Sequence, residues 1–215
     1  MEKDMITLTV IATIVLLALT FLIVAIVKQR ETNRLTQRML GDRDLLRMID
    51  TEPDQLLSPH QLRDKTDLTL TEARARLTSL HSFGVLRVNG NRRGRHFFGL
   101  NRGLVEAPDL NLSPEPFLTV EDLLNIFATY DYRVTPQELI MSTGLPLAII
   151  KREMKYFENQ KIVQRLQRMD ANGMTVHRFY VLQDPYRSDP DRFRVQADKL
   201  DLEMREILLN DNLIV

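Results

Sequence analysis

A shift of 77 residues lays one stretch of this chain over another without a gap. Ser58-Pro59-His60-Gln61-Leu62 falls on Thr135-Pro136-Gln137-Glu138-Leu139, and Thr66-Asp67-Leu68 on Thr143-Gly144-Leu145. Ala73, Leu77 and Leu80 fall on Ile150, Met154 and Phe157, and Val85-Leu86 on Ile162-Val163. Upstream, Leu46 and Ile49 fall on Leu123 and Ile126. Apolar matches alone arise by chance. The Ser/Thr-Pro pair and the Thr-x-Leu step in the same register imply two copies of one small unit.

Each copy has a physical reading. Ser58 and Thr135 are N-cap residues, and the proline after each suits the first helical position. A short helix then runs to about Lys65 or Ser142, followed by a turn near Asp67 or Gly144. The next helix carries its apolar stripe at spacings of four and three. Thr69 and Glu72 have capping-box spacing in the first copy, and Gly84 ends that helix. A hairpin follows: Val85–Val88 and His96–Leu100 around Asn89-Gly90, then Ile162–Gln167 and Thr175–Leu182 around Asp170–Gly173. A leading helix precedes each copy, over about Asp42–Ile49 and Thr119–Tyr130.

Helix, helix, turn, helix and a two-stranded wing resembles the winged helix-turn-helix family, twice over. The resemblance spans about residues 42–100 and 117–182. Lys161 stands where the first copy has Gly84, and the second wing is less basic. The family places its third helix in the DNA major groove and its wing on backbone or minor groove. Those helices are expected at Leu70–Ser82 and Pro146–Asn159. The first presents Thr71, Ala75, Thr78 and Ser79 outward, flanked by Arg74 and Arg76. The second presents Ala148, Arg152, Lys155 and Tyr156, with Lys151 at the edge. Arg92, Arg93 and Arg95, in a loop with Gly90 and Gly94 and near Arg87 and His96, form the strongest nucleic-acid signal. Hairpin-tip arginines also serve simply to keep an edge soluble. The second helix face, with Ile149 and Tyr156 expected to be exposed, reads equally as a surface for a protein partner or for packing on the first copy.

The N-terminal segment has a different character. From Met5 to Val27, 23 residues carry no charge. As a helix they would rise about 34 Å, enough for a hydrocarbon core about 30 Å thick. Against a buried core helix stands the lack of any polar side; against a cleaved signal peptide, the length and the absence of a small-x-small site before Lys28. Lys3 alone precedes the run, whereas Lys28, Arg30, Arg34, Arg38 and Arg43 follow it. The expectation is a single-pass anchor in the cell membrane, N-terminus outside and body cytoplasmic, with the bases after it near anionic lipid.

The net charge of zero hides a pattern. Residues 53–105 carry nine bases against four acids, residues 106–116 three acids alone, residues 117–183 eight bases and seven acids, and residues 184–215 eight acids and five bases. The expected organisation is therefore a transmembrane helix (5–27), a juxtamembrane linker or helix (28–41), a first winged-helix domain (42–105), an acidic linker (106–116), a second winged-helix domain (117–183) and a C-terminal amphipathic helix (184–215). The fold class is α+β, mainly α. In the tail Phe193, Ala197, Leu200, Met204, Ile207 and Leu208 recur at spacings of three and four, a stripe for packing on the domains or for pairing with a second chain.

No enzyme pattern emerges. The chain has no cysteine, its four histidines are scattered, no glycine loop is built to cradle phosphate, and no cofactor or metal is expected. The functional expectation is a membrane-anchored DNA-binding protein, a transcriptional regulator, contacting duplex DNA through Arg74, Arg76, Thr78, Arg92, Arg93, Arg95, Lys151, Arg152 and Lys155. The alternative is a membrane-tethered adaptor that uses the same modules on a protein partner. A homodimer through the C-terminal or juxtamembrane helix is compatible with both.

Overall fold

A computed structural model describes residues 40–90, 94–105, 110–169 and 176–214, together with Thr20. In the first unit a helix α1 (Asp42–Thr51) is followed by a two-residue strand β1 (Leu56–Leu57), helices α2 (Pro59–Lys65) and α3 (Leu70–Ser82), and the hairpin β2 (Leu86–Gly90) and β3 (His96–Leu100). The second unit repeats the order: α4 (Val120–Thr129), β4 (Arg133–Val134), α5 (Pro136–Thr143), α6 (Leu147–Asn159), β5 (Val163–Met169) and β6 (Val176–Leu182). A short helix α7 (Pro190–Arg194) and a longer α8 (Ala197–Asn210) follow, the last of the described elements. Each unit has a three-stranded antiparallel sheet with its third strand central, in the orders β1-β3-β2 and β4-β6-β5.

The repeated residues do the same work twice. Ser58 with Gln61 and Thr135 with Glu138 close capping boxes at the starts of α2 and α5. Thr66 donates its hydroxyl to the Leu62 carbonyl and accepts from the Leu68 N–H. Thr143 repeats both bonds with Leu139 and Leu145. The Thr-x-Leu step is thus a helix stop that satisfies an end carbonyl and the next amide. Gly84 and Lys161 both take positive φ, at 85° and 59°, to turn α3 and α6 into their hairpins. Gln55 (52°) and Tyr132 (60°) repeat that conformation just before β1 and β4.

The units share one core cluster that runs from Leu45 and Ile49 through Leu77 and Phe83 to Ile150, Phe157 and Met204. The tail closes it. Leu200, Met204 and Leu208 of α8 are buried, Phe193 of α7 stacks edge-on against Tyr186 at 4.7 Å, and Asp201 accepts the Val120 N–H at the start of α4 (2.9 Å).

One expectation is corrected. No helix among the described residues is long and apolar enough to cross a membrane. The longest, α8, has 14 residues and so rises about 21 Å, short of a hydrocarbon core, with charged residues along its outer side. The fold is α+β with two small antiparallel sheets and, among its described elements, no membrane-spanning helix, where a transmembrane, single-pass element was expected. The run expected as the anchor, Met5–Val27, lies outside the described residues except for Thr20, as do residues 28–39 of the expected linker and 106–109 of the acidic stretch.

Candidate nucleic-acid interface

The outward face of α3 is set by its start and its stripe. Thr69 accepts the Glu72 N–H while Glu72 reaches back to Thr69, which holds the Glu72 carboxyl below its usual range. Ala73, Leu77 and Leu80 are then buried, and Thr71, Arg74 and Thr78 are exposed. On the hairpin that follows, Arg87, Arg95 and His96 are exposed. Gly99 opposite Arg87 leaves room for Leu56 and the Gln55 carbonyl, which a Cβ would meet at 2.9 and 3.0 Å. Arg92 and Arg93 lie outside the described residues.

Arg76 does not belong to this face. It is 3% exposed and ion-paired with Asp42 at 2.9 Å, and it also donates to the Leu40 carbonyl. Its position, three residues after Ala73 and four before Leu80, turns it into the buried stripe rather than to the rim. Asp42 joins the two units. Its second oxygen accepts the Leu147 N–H at 2.7 Å, at the first residue of α6. The residue before it, Pro146, has no side-chain oxygen to cap with, where the first unit has Thr69. Asp42 supplies that missing cap from another unit.

In the second unit the equivalent face is largely used up. Lys151 donates to Ser79 Oγ at 3.1 Å and lies 5.1 Å from the Phe83 ring centroid. The Arg178 guanidinium lies 4.9 Å from the same centroid and donates to the Phe83 carbonyl. Burial first, and the neighbouring Arg178 second, lower the Lys151 pKa. Arg152 is ion-paired with Asp211 at 2.6 Å. Ile149 and Tyr156, expected as exposed anchors, are buried, and the Tyr156 hydroxyl donates to Glu203 of α8 at 2.7 Å. Of the basic residues expected on this helix, only Lys155 is fully exposed. Arg43 ties the units at a further point, donating to the Ser142 carbonyl and packing so tightly on Gly144 that a Cβ there would meet its guanidinium at 3.0 Å.

Sequence reasoning missed Asp42, whose partners lie 34 and 105 residues away. The one available signal was Pro146 at a helix start with no capping side chain. It also passed over Arg165 and Arg168, which stand exposed along β5 beside Gln164 and Gln167. Among the described residues no group of His, Asp and Glu side chains is placed to hold a metal ion. No protein-family model matches the chain, and no curated protein matches it.

Proposed function

We propose that this protein binds duplex DNA and regulates transcription, with the first unit as the reader. One observation carries the reading: α3 keeps Thr71, Arg74 and Thr78 open to solvent, and the hairpin directly after it keeps Arg87, Arg95 and His96 open. Hydroxyls and guanidinium groups on one helix face suit phosphate oxygens and base edges in a major groove. The hairpin bases, continued in the sequence by Arg92 and Arg93, suit the neighbouring backbone. Of the bases expected on the second unit's third helix, Lys155 is the one left exposed for a phosphate contact. The adaptor alternative relied on Ile149, Tyr156 or the tail helix; Ile149 and Tyr156 are buried, and α8 keeps Leu202 and Leu209 exposed.

The test is a titration of the full chain with duplex DNA at several salt concentrations. Affinity should fall steeply as salt rises, with a slope of about −0.9 per phosphate contacted. Arg74→Ala and Arg95→Ala should each flatten that slope by about one contact, while Arg152→Ala leaves it unchanged. Absence of binding at low salt overturns the reading.

A further inference from the structure

We infer that a single water molecule is built into the junction between the two units, held by Asn101, Gln137 and Arg178. The inference does not rest on DNA binding. Asn101 follows β3 of the first unit, while Gln137 lies in the first turn of α5 and Arg178 on β6 of the second. Each is pinned by a donor to a backbone carbonyl of the first unit. Asn101 Nδ2 donates to Gly84 at 2.7 Å, Gln137 Nε2 to Arg102 at 3.0 Å and Arg178 Nη1 to Phe83 at 3.2 Å. The first two bonds fix which end of each amide is oxygen, because a flipped amide would set oxygen against a carbonyl. Asn101 Oδ1, Gln137 Oε1 and Arg178 Nε are thereby left over. All three atoms are buried, and none meets a hydrogen-bond partner among the described residues.

The three side chains line one cavity of about 20 Å³ between the units. That is room for one water molecule and little more. Gln137 is only 8% exposed, so bulk solvent does little for its oxygen. The chemistry of the set selects the occupant. Two oxygens need donors, and one N–H needs an acceptor. Water supplies two O–H donors and a lone pair, so one molecule satisfies all three groups, the usual count for a buried water. A metal cation or an ammonium would face the Arg178 guanidinium. A halide or other anion would face two amide oxygens. Left to themselves, the three groups would stay desolvated and unpaired, which folded proteins rarely tolerate. The water therefore ties the base of the first hairpin to α5 and β6 of the second unit, beside the direct bonds to Arg102 and Phe83.

Proton NMR of the isotope-labelled full chain in water tests this. The Arg178 Nε–H should show NOE and ROE cross-peaks to water that are opposite in sign, the signature of a molecule that stays in place far longer than surface hydration water. Peaks of like sign, no peak, or a peak to a protein proton in that place overturns the proposal without any variant. Gln137→Met and Asn101→Leu each remove one acceptor and should each abolish the water peak at Arg178. Both leave the Thr135 hydroxyl on the cavity wall, so a peak relayed through that hydroxyl would persist, and persistence in both variants overturns the proposal. Each substitution should lower the melting temperature by several degrees. The double variant should lose less than the sum of the two, because either change releases the same water. Fully additive losses would mean that the two amides share no occupant, which also overturns it.

Discussion

Position 76 in α3 and position 153 in α6 are equivalent, yet one is arginine and the other glutamate. Both are buried, and both clamp the chain just before the first helix of their own unit: Arg76 holds the Leu40 carbonyl, and Glu153 accepts the Leu118 N–H at 2.6 Å. Under the 77-residue shift these groups belong to the same peptide bond, held at its oxygen in one unit and at its nitrogen in the other. Arg76 has a counter-charge in Asp42, whereas the second oxygen of Glu153 meets no donor among the described residues. Asp42→Ala should therefore destabilise the fold by about 3 kcal/mol or more in denaturant titrations, since it leaves a guanidinium buried and the first amide of α6 uncapped. Burial pushes the Glu153 carboxyl up to about 8, against the pull of the Leu118 N–H. In the unfolded chain it ionises near its ordinary 4.5, so folding takes up a proton between those values. Stability should fall as pH rises through that window and level off above about pH 8. Glu153→Gln keeps an oxygen for Leu118 and removes the slope. Its gain over the natural chain should grow across the window to something on the order of 2 kcal/mol, read from melting curves at several pH values. An equal effect at every pH would show that Glu153 is ionised in the fold.

The elements were legible where their causes are local. The caps at Ser58, Thr69 and Thr135, the stripes at spacings of three and four, and Asn89-Gly90 act within a few residues, so helix starts and hairpins could be read directly. Strands β1 and β4, two residues each, carry no periodicity and were not foreseen. Lys161 was noted only as a departure from Gly84, yet it adopts the same left-handed turn. Lys161→Gly should stabilise the protein by about 1 kcal/mol by relieving that backbone, in the same assay in which Gly84→Ala should cost a similar amount. Neutral substitution at Lys161 would show that the strain is relieved elsewhere. The candidate site was half legible. Arg74, Thr78 and Lys155 stand exposed, as a helical wheel predicts, and Arg95 stands exposed on its hairpin. Arg76 does not, because it falls in the buried stripe of its own helix, and Lys151, Tyr156 and Ile149 do not, because a wheel drawn for a single unit cannot know what neighbouring elements bury.

At the scale of the whole molecule the two units are not equivalent. The first keeps Thr71, Arg74 and Thr78 of its third helix open, with Ser79 taken by Lys151, and the second spends its third-helix face on α8 and on the first unit, with Arg43 and Arg178 as further ties. A shared core and these ties should make unfolding cooperative. Chemical denaturation followed by tyrosine fluorescence and by circular dichroism should give one coincident transition. Two separated transitions would mean that the junction contributes little. Gly144→Ala, which forces Arg43 aside and strains a φ of 69°, should lower that single midpoint and leave one transition in place.

The position of Asp42 also has a mechanical meaning. It is the first residue of α1, and from there it grips the third helices of both halves: Arg76 on one, the leading amide of the other. A pull applied at residue 40 would load the Leu40 carbonyl and that carboxylate together, since Arg76 holds both. The strain would pass at once into α3 and α6, so the halves would share the tension rather than peel away in turn. Stretched between residue 40 and the end of α8, the two units should part in one rupture, with the second half sprung by the failure of a residue that belongs to the first.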